Sequence, residues 1–548
     1  MRKITISLLS MLMMVNFAYA GGLVTNTNQS AAWSRMLVRD ASTSIDAVYF
    51  NPAGLTKLAD GFYISLSSQT IMQTQTLTVS PLSSFSMNQT KFTGNVSAPV
   101  FPDLYMAYKT GKWAFSFGFN AIGGGGGAEF KTGVPMDEVP IAGLVPQFAS
   151  LGVTGYSMNA YLKGTSMYFG IQAGVSYEIS PAVSVYLGGR YNIAMNSYKG
   201  YLKDIRFLTA QGPVVPGTYV QAFSNAFSTA VTGLDNLVAG GAGGYTIAQA
   251  QAGGVLTAAD VQQLEAALTA VGASSSNISS MTIADLNTNY SPALSATATQ
   301  LGAAAAMLRG ALADQNLDVK QKGSGFTPII GANFSFLDNN LDIGIKYEFK
   351  TKMTLTNTTA TDPTTGLQEG FLMGYNGTTP VYMFADGAKT NADIPSYLSI
   401  GVRYNLGKVV SLQAGYHLYG DRSTGWTDVK NTVGKNYQEY GLGAEFHVSP
   451  KLLLSTGYLY SQSGVNQAYQ SDLSYSLSAS TVGLGGAYKI SDRVTLQLGG
   501  YLVTYKPQTY TMTAESGTTP MSYSEKFQKS TWAIAAGLDF SFGKKSKK

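Results

Sequence analysis

The sequence predicts a transmembrane β-barrel of about 14 antiparallel strands, with an N-terminal plug and a helical insertion on one rim. Three observations predict it. First, charged residues are only 12% of the 548-residue chain, against about 25% in soluble domains. No stretch after residue 20 is long and apolar enough for a membrane helix, and a weakly charged chain without helical spans satisfies its backbone in lipid only as a closed barrel. Second, segment after segment alternates apolar and small or polar residues with period two, the mark of a strand. Third, the connections between these segments alternate between short and long.

The elements follow in order. Arg2 and Lys3, an apolar run from Ile4 to Phe17 and the box Ala18-Tyr19-Ala20 read as a cleaved export signal, 1–20. Net charge is +5, and the loss of Arg2 and Lys3 leaves +3. That is too thinly spread to suggest nucleic acid. Cysteine is absent, so the fold uses no disulfides. Residues 21–58 carry no alternation. "SAAWSRMLV" (Ser30–Val38) suits a short helix, and "VYFNPAGL" closes the segment with a turn.

From residue 59 to 542 the barrel pattern takes over. In "TWAIAAGLDFSF" Trp532, Ile534, Ala536, Leu538, Phe540 and Phe542 share one face, with Thr531, Gly537, Asp539 and Ser541 on the other. "YLSIGVRYNL" sets Leu398, Ile400, Val402, Tyr404 and Leu406 against Ser399, Gly401, Arg403 and Asn405. "TVGLGGAYKI" and "LDIGIKYEF" repeat the pattern, with Lys489, Lys346 and Glu348 on the polar side. Faces holding small residues and charges of both signs suit a lumen, and the continuous apolar faces suit lipid. A soluble sandwich would instead turn its apolar face inward.

Short connections at Lys109–Lys112, Ser180–Ala182, Asp338–Asn340, Gly407–Lys408, Ser449–Lys451 and Ser491–Arg493 alternate with longer ones near 80–92, 122–160, 206–322, 356–393, 420–436, 463–472 and 507–526. Short periplasmic turns and long outer loops are the habit of outer-membrane barrels. Tyr108, Tyr177, Phe334, Tyr404, Phe446, Tyr488 and Phe540 fall on the apolar face near the short turns, as an interfacial girdle requires.

The stretch 206–322 is different, being Ala-rich with helical periodicity. Thr257 and Asp260 form a capping box ahead of Val261, Leu264, Leu268 and Val271. Ser291-Pro292 reads as an N-cap with proline at the first helical position, followed by a stripe of Leu294, Ala298, Leu301, Ala305, Leu308 and Leu312. The segment is either a self-contained helical cap or an apolar collecting surface over the barrel mouth. The final residues 543–548 form a basic tail.

Chemical motifs are sparse. His417 and His447 lie on different strands with lumen parity and read as polar lumen residues. No His/Asp/Glu spacing marks a metal site, and no cofactor is expected. The glycine run Gly123, Gly124, Gly125, Gly126, Gly127 has no following Lys-Ser/Thr, so it is not a phosphate loop. A Ser-His-Asp hydrolase has no supporting motif, though its members can come from any strands.

A barrel of this size is too wide for side chains alone to fill, so its lumen is either a channel or plugged. Residues 21–58 are the right size and place for the plug. Several of its residues, with those that follow, carry a resemblance: Gln29-Ser30-Ala31, Arg35, Asp40-Ala41, Asp46-Ala47, the run Phe50-Asn51-Pro52-Ala53-Gly54-Leu55, "PVFPDLYMAYKTGKWAFSFGF" (Pro99–Phe119) and Ala128-Glu129-Phe130. With these the sequence resembles the FadL/TodX family of Gram-negative outer-membrane transporters for long-chain fatty acids and hydrocarbons. The resemblance implies a 14-stranded barrel, a hatch carrying Asn51, Pro52 and Ala53, an apolar pocket and passive uptake; the chain is expected to be a monomer. It also implies an inward kink in the third strand, near Gly123–Gly127, that opens the wall sideways. The plainer alternative makes these glycines the start of an outer loop. Two features depart from the family: the length of 206–322 and the tail after Phe542.

The expected cargo is a hydrophobic small molecule delivered to outer-membrane lipid. Its carboxylate partner, if it has one, is sought among the lumen-parity cations Arg190, Arg403 and Lys346. A structural or adhesive barrel that binds a partner through its cap, and a barrel-embedded lipid hydrolase, are the alternatives.

Overall fold

The computed structural model describes residues 30–82, 85–376, 379–516 and 519–542. The expected export signal, the start of the hatch including Gln29, and the basic tail lie outside the described residues. The strands are β1 Gly61–Pro81, β2 Lys91–Thr110, β3 Trp113–Phe130, β4 Gly155–Ser180, β5 Val183–Thr209, β6 Gln315–Phe336 and β7 Leu341–Glu348, which resumes at Thr354–Thr359. They continue as β8 Tyr397–Leu406, β9 Val410–Tyr419, β10 Tyr437–His447, β11 Leu452–Gln462, β12 Ala479–Lys489, β13 Val494–Tyr505 with its extension Gln508–Ser516, and β14 Thr519–Ser541. All pairings are antiparallel, and β1 closes the ring on β14 from Tyr63↔Ser541 to Pro81↔Tyr523. The fold is a 14-stranded membrane-type barrel.

The lipid-facing parity read from the sequence is the one observed. Trp532, Ile534, Leu538, Val482, Leu484, Val402 and Leu406 are exposed, as are Tyr108, Tyr404, Phe446 and Tyr488 near the short turns. The lumen face is buried: Asp342, Lys346, Glu348, Ser399 and Gln413 are among the least exposed polar residues.

Strands run farther toward the long-loop rim than the alternation revealed. Residues 206–209 and 315–322 continue β5 and β6, so the helices occupy only the middle of 206–322. They are Pro216–Leu237, Ile247–Ala252, Ala258–Ala270, Ser275–Ser280 and Ile283–Ala311, packed on one core that includes Phe227, Leu234, Leu268, Leu294, Leu301 and Leu308. The Thr257 box forms as expected, with Thr257 N–H donating to Asp260 Oδ2 at 2.9 Å. These hydrogen bonds hold the Asp260 carboxyl below its ordinary pKa. The Ser291-Pro292 cap does not form. The last helix instead starts at a second capping box, Thr282 with Asp285, and carries Pro292 inside it. Ile283 and Leu286, both fully buried, explain the earlier start: two more apolar anchors outweigh the one ladder bond that proline removes.

The hatch lies inside the lumen. It begins with one helical turn, Ala31–Ser34, capped by Ser30. A second turn, Ala47–Phe50, runs through Asn51 into the 3-10 segment Pro52–Lys57 that leads to β1. Much of the glycine in the later strands serves this segment. A Cβ on Gly457 would stand 1.6 Å from the Met36 carbonyl oxygen, on Gly344 2.1 Å from Asp40 O, and on Gly499 2.7 Å from Arg35 N. Side chains there would leave the hatch no room against the wall. Gly457→Val is expected to weaken hatch seating by at least about 1–3 kcal/mol, the usual cost of overpacking. The effect would be read as new ion conductance from a barrel that still folds; a silent barrel with normal stability would remove the seat.

Candidate functional site

The Asn-Pro-Ala turn is the hatch's joint with the wall. Asn51 Nδ2 donates to Ser42 O at 3.1 Å and to Asn333 Oδ1 at 2.7 Å. Pro52 lends its carbonyl to Ser176 Oγ at 2.6 Å, and Ala53 packs against Tyr186 and Ile329. Gly54 is required by close approach, since a Cβ would lie 2.4 Å from Ser42 O. The turn therefore lifts Tyr49 and Phe50 to the hatch's upper side and fixes them there.

Above the hatch is a cavity of about 430 Å³. Its floor is Trp33, Tyr49 and Phe50, and its walls include Ile71, Phe130, Leu162, Tyr437, Leu459 and Tyr501. Trp33 meets Tyr501 edge-on at 5.6 Å. This volume falls in the usual range for a small-molecule pocket, about 300–1,000 Å³. Beneath the hatch a second cavity, about 620 Å³, opens at the short-turn rim and is lined by Arg35, Arg39, Asp46, Glu445 and Asp539. The hatch separates the two. A third, apolar cleft of about 520 Å³ lies in the helical insertion between Phe223, Phe227, Leu237, Leu256 and Leu264.

The wall beside the central cavity is incomplete. β2 and β3 pair from Thr110↔Trp113 to Asp103↔Asn120, then not again until Val96↔Ala128. β3 remains paired to β4 throughout, with two one-residue irregularities, at Ala121/Gly123 and Gly124/Gly126. Each puts an extra residue, Ile122 or Gly125, into β3, and such bulges bend a strand away from its neighbour. Gly124 takes φ +81 and lines the cavity. The glycine run is thus strand, not loop, and lies at the gap.

The sequence matches no protein-family model and no curated protein. Among solved structures, a FadL homologue from Pseudomonas aeruginosa aligns with 95% of this chain and 100% of its own, with TM-score 0.55 and 11% identity. The fold is that of a FadL barrel. The toluene transporter TodX of Pseudomonas putida aligns with 91% of this chain and 95% of its own at TM-score 0.46 and 13% identity.

Within this FadL-type barrel the three candidate cations are all buried or half-buried, and all face carboxylates. Arg190 and Lys346 share Glu348, Lys346 at 2.8 Å. Lys346 Nζ also donates to Tyr49 O at 2.6 Å and lies 4.6 Å from the Tyr49 ring centre, so these two residues pin the hatch. Arg403 pairs with Asp342. His417 stands between Asp40 Oδ1 at 2.9 Å and Glu439 Oε2 at 2.8 Å. Both ring nitrogens are therefore occupied by carboxylates, and Ser399 bonds Asp40 rather than the imidazole, which is not the arrangement that activates a serine. His447 is exposed on the lower cavity.

Sequence reading missed the hatch's own ion pairs and the cavity's upper end. Arg35 reaches Glu445 at 2.7 Å, and Arg39 holds Asp46 at 2.5 Å. Tyr475, Tyr505 and Lys529 line the cavity from positions just outside the stretches 463–472 and 507–526 that the sequence marks as loops. Parity carried forward from Trp532 would have placed Lys529 inward.

Proposed function

We propose that this chain is an outer-membrane transporter of the FadL/TodX kind, exported by its N-terminal signal and working as a monomer without cofactor. A hydrophobic molecule such as a long-chain fatty acid or hydrocarbon is collected at the apolar cleft of the outer insertion and passes into the cavity above the hatch. It leaves sideways into the membrane through the gap between β2 and β3. One observation carries this reading: the unpaired stretch of wall, 97–102 opposite 121–127, borders the central cavity with its aromatic floor at Gly124 and Ala128. Exit downward is unfavourable, because each CH₂ exposed to water costs about 0.8 kcal/mol, on the order of 10 kcal/mol for a long acyl chain. The hatch's polar lower face, with Arg35, Arg39 and Asp46, gives such a chain no apolar path.

The test removes the bulges. Deleting Ile122 and Gly125 together would give β3 the same residue count as its β4 partner and straighten it toward β2. The variant is expected to stay heat-modifiable on gels and to bind ligand, while uptake of a labelled long-chain fatty acid by whole cells falls about tenfold or more, a barrier change near 1.4 kcal/mol. Undiminished uptake by a folded deletion variant would place the exit elsewhere.

A further inference from the structure

Four ionisable groups other than tyrosine line the central cavity: His417, Glu439, Asp472 and Lys529. Three are matched. His417 has its two carboxylates, Glu439 also accepts from Tyr419 at 3.0 Å and Ser461 at 2.8 Å, and Asp472 accepts from the Met136 N–H at 2.5 Å and shares a hydrogen bond with the Glu525 carboxyl. Lys529 has no carboxylate partner among the described residues. Its ammonium donates to Tyr475 O at 2.8 Å and lies 4.0 Å from the centre of the Tyr475 ring. That contact uses one of its three N–H donors.

We infer that Lys529 is the specificity residue of this cavity, receiving the anionic head of an acid-headed hydrophobe while the tail lies along Trp33, Tyr49 and Phe50. This rests on the transport reading above and deepens it. The placement suits such a ligand. Lys529 is in β14 opposite Gln75, toward the long-loop rim. Ala533, the β14 partner of Tyr501, is four residues nearer the short turns, roughly 13 Å along the strand. A head held at Lys529 therefore directs a long tail down onto the aromatic floor. A half-buried ammonium without a counter-ion carries a desolvation cost, so a carboxylate arriving there relieves a cost that a neutral head does not. The other lumen cations offer no equivalent, since Arg190, Lys346 and Arg403 already hold carboxylates.

The experiment uses the full-length mature protein in nanodiscs. Binding of labelled oleate and of labelled oleyl alcohol, which differ only at the head, is measured at pH 8 with empty-disc background subtracted. Lys529→Met is expected to weaken oleate at least tenfold and to change oleyl alcohol less than twofold, and Lys529→Arg to restore oleate. Two results overturn the assignment: an unchanged oleate affinity in Lys529→Met, or an equal loss for both ligands, which would make Lys529 only a support for Tyr475. Failure of the unaltered protein to bind either ligand would instead overturn the transport reading itself.

Discussion

Deleting residues 22–47 is expected to turn a closed barrel into a conducting one. The deletion removes Trp33 from the floor of the cavity of about 430 Å³ above the hatch, and Arg35, Arg39 and Asp46 from the lining of that of about 620 Å³ below it, leaving Tyr49 and Phe50 without the segment they pack on. The two cavities would merge into a continuous aqueous path. Barrels of about eight strands fill with their own side chains, whereas those of 16–18 strands leave a channel. Here the lumen-facing glycines that make room for the hatch widen the empty bore further. Single-channel conductance in planar bilayers is therefore expected to rise by about tenfold or more, approaching the open regime of wide barrels. Intact protein that already conducts like a porin would show that the hatch does not close the lumen.

What could be read from the sequence, and what could not, follows from the physics of each part. The lipid-facing strands were legible because lipid enforces parity on every second residue, as at Leu398–Leu406 and Trp532–Phe542. Above the membrane that pressure lapses. The extensions of β5, β6 and β14 lose clean alternation and read as loop, and Lys529 lies just past the end of the stretch 507–526 so read, where its shared parity with Thr531 was the one clue to its place. The helical insertion was legible through its caps, but Ser291-Pro292 looked like a start because nothing local says that Ile283 and Leu286 are buried. Asn51, Pro52 and Ala53 stood out because proline and glycine mark a bend. The cations Arg190, Lys346 and Arg403 stood out by lumen parity, but parity does not say what stands opposite. For Lys346 a clue was present: Glu348 is two residues on, and on a strand that means the same face.

That last pair leads to the second large effect. Glu348 serves two buried cations, Arg190 and Lys346, each about 2% exposed or less. Glu348→Ala would leave both charges unpaired beside Tyr49, whose ring centre lies 5.4 Å from the Arg190 guanidinium carbon and 4.6 Å from Lys346 Nζ. Removing one partner of a buried ion pair costs about 3–5 kcal/mol. The barrel ladder does not depend on this cluster, so the loss is expected to fall on hatch docking. An undocked hatch would become roughly two to three and a half orders of magnitude more populated, at 1.4 kcal/mol per factor of ten. The barrel would keep its heat-modifiable mobility while showing brief conductance bursts and faster cleavage of the hatch by added protease. Lys346→Met serves as the comparison. It keeps the Arg190–Glu348 pair and loses the Lys346 contacts with Glu348, with Tyr49 O and with the Tyr49 and Tyr397 rings without stranding a buried charge, so its bursts are expected to be rarer. If Glu348→Ala stays as quiet and protease-resistant as the unaltered protein, or if Lys346→Met has the larger effect, the cluster does not hold the hatch.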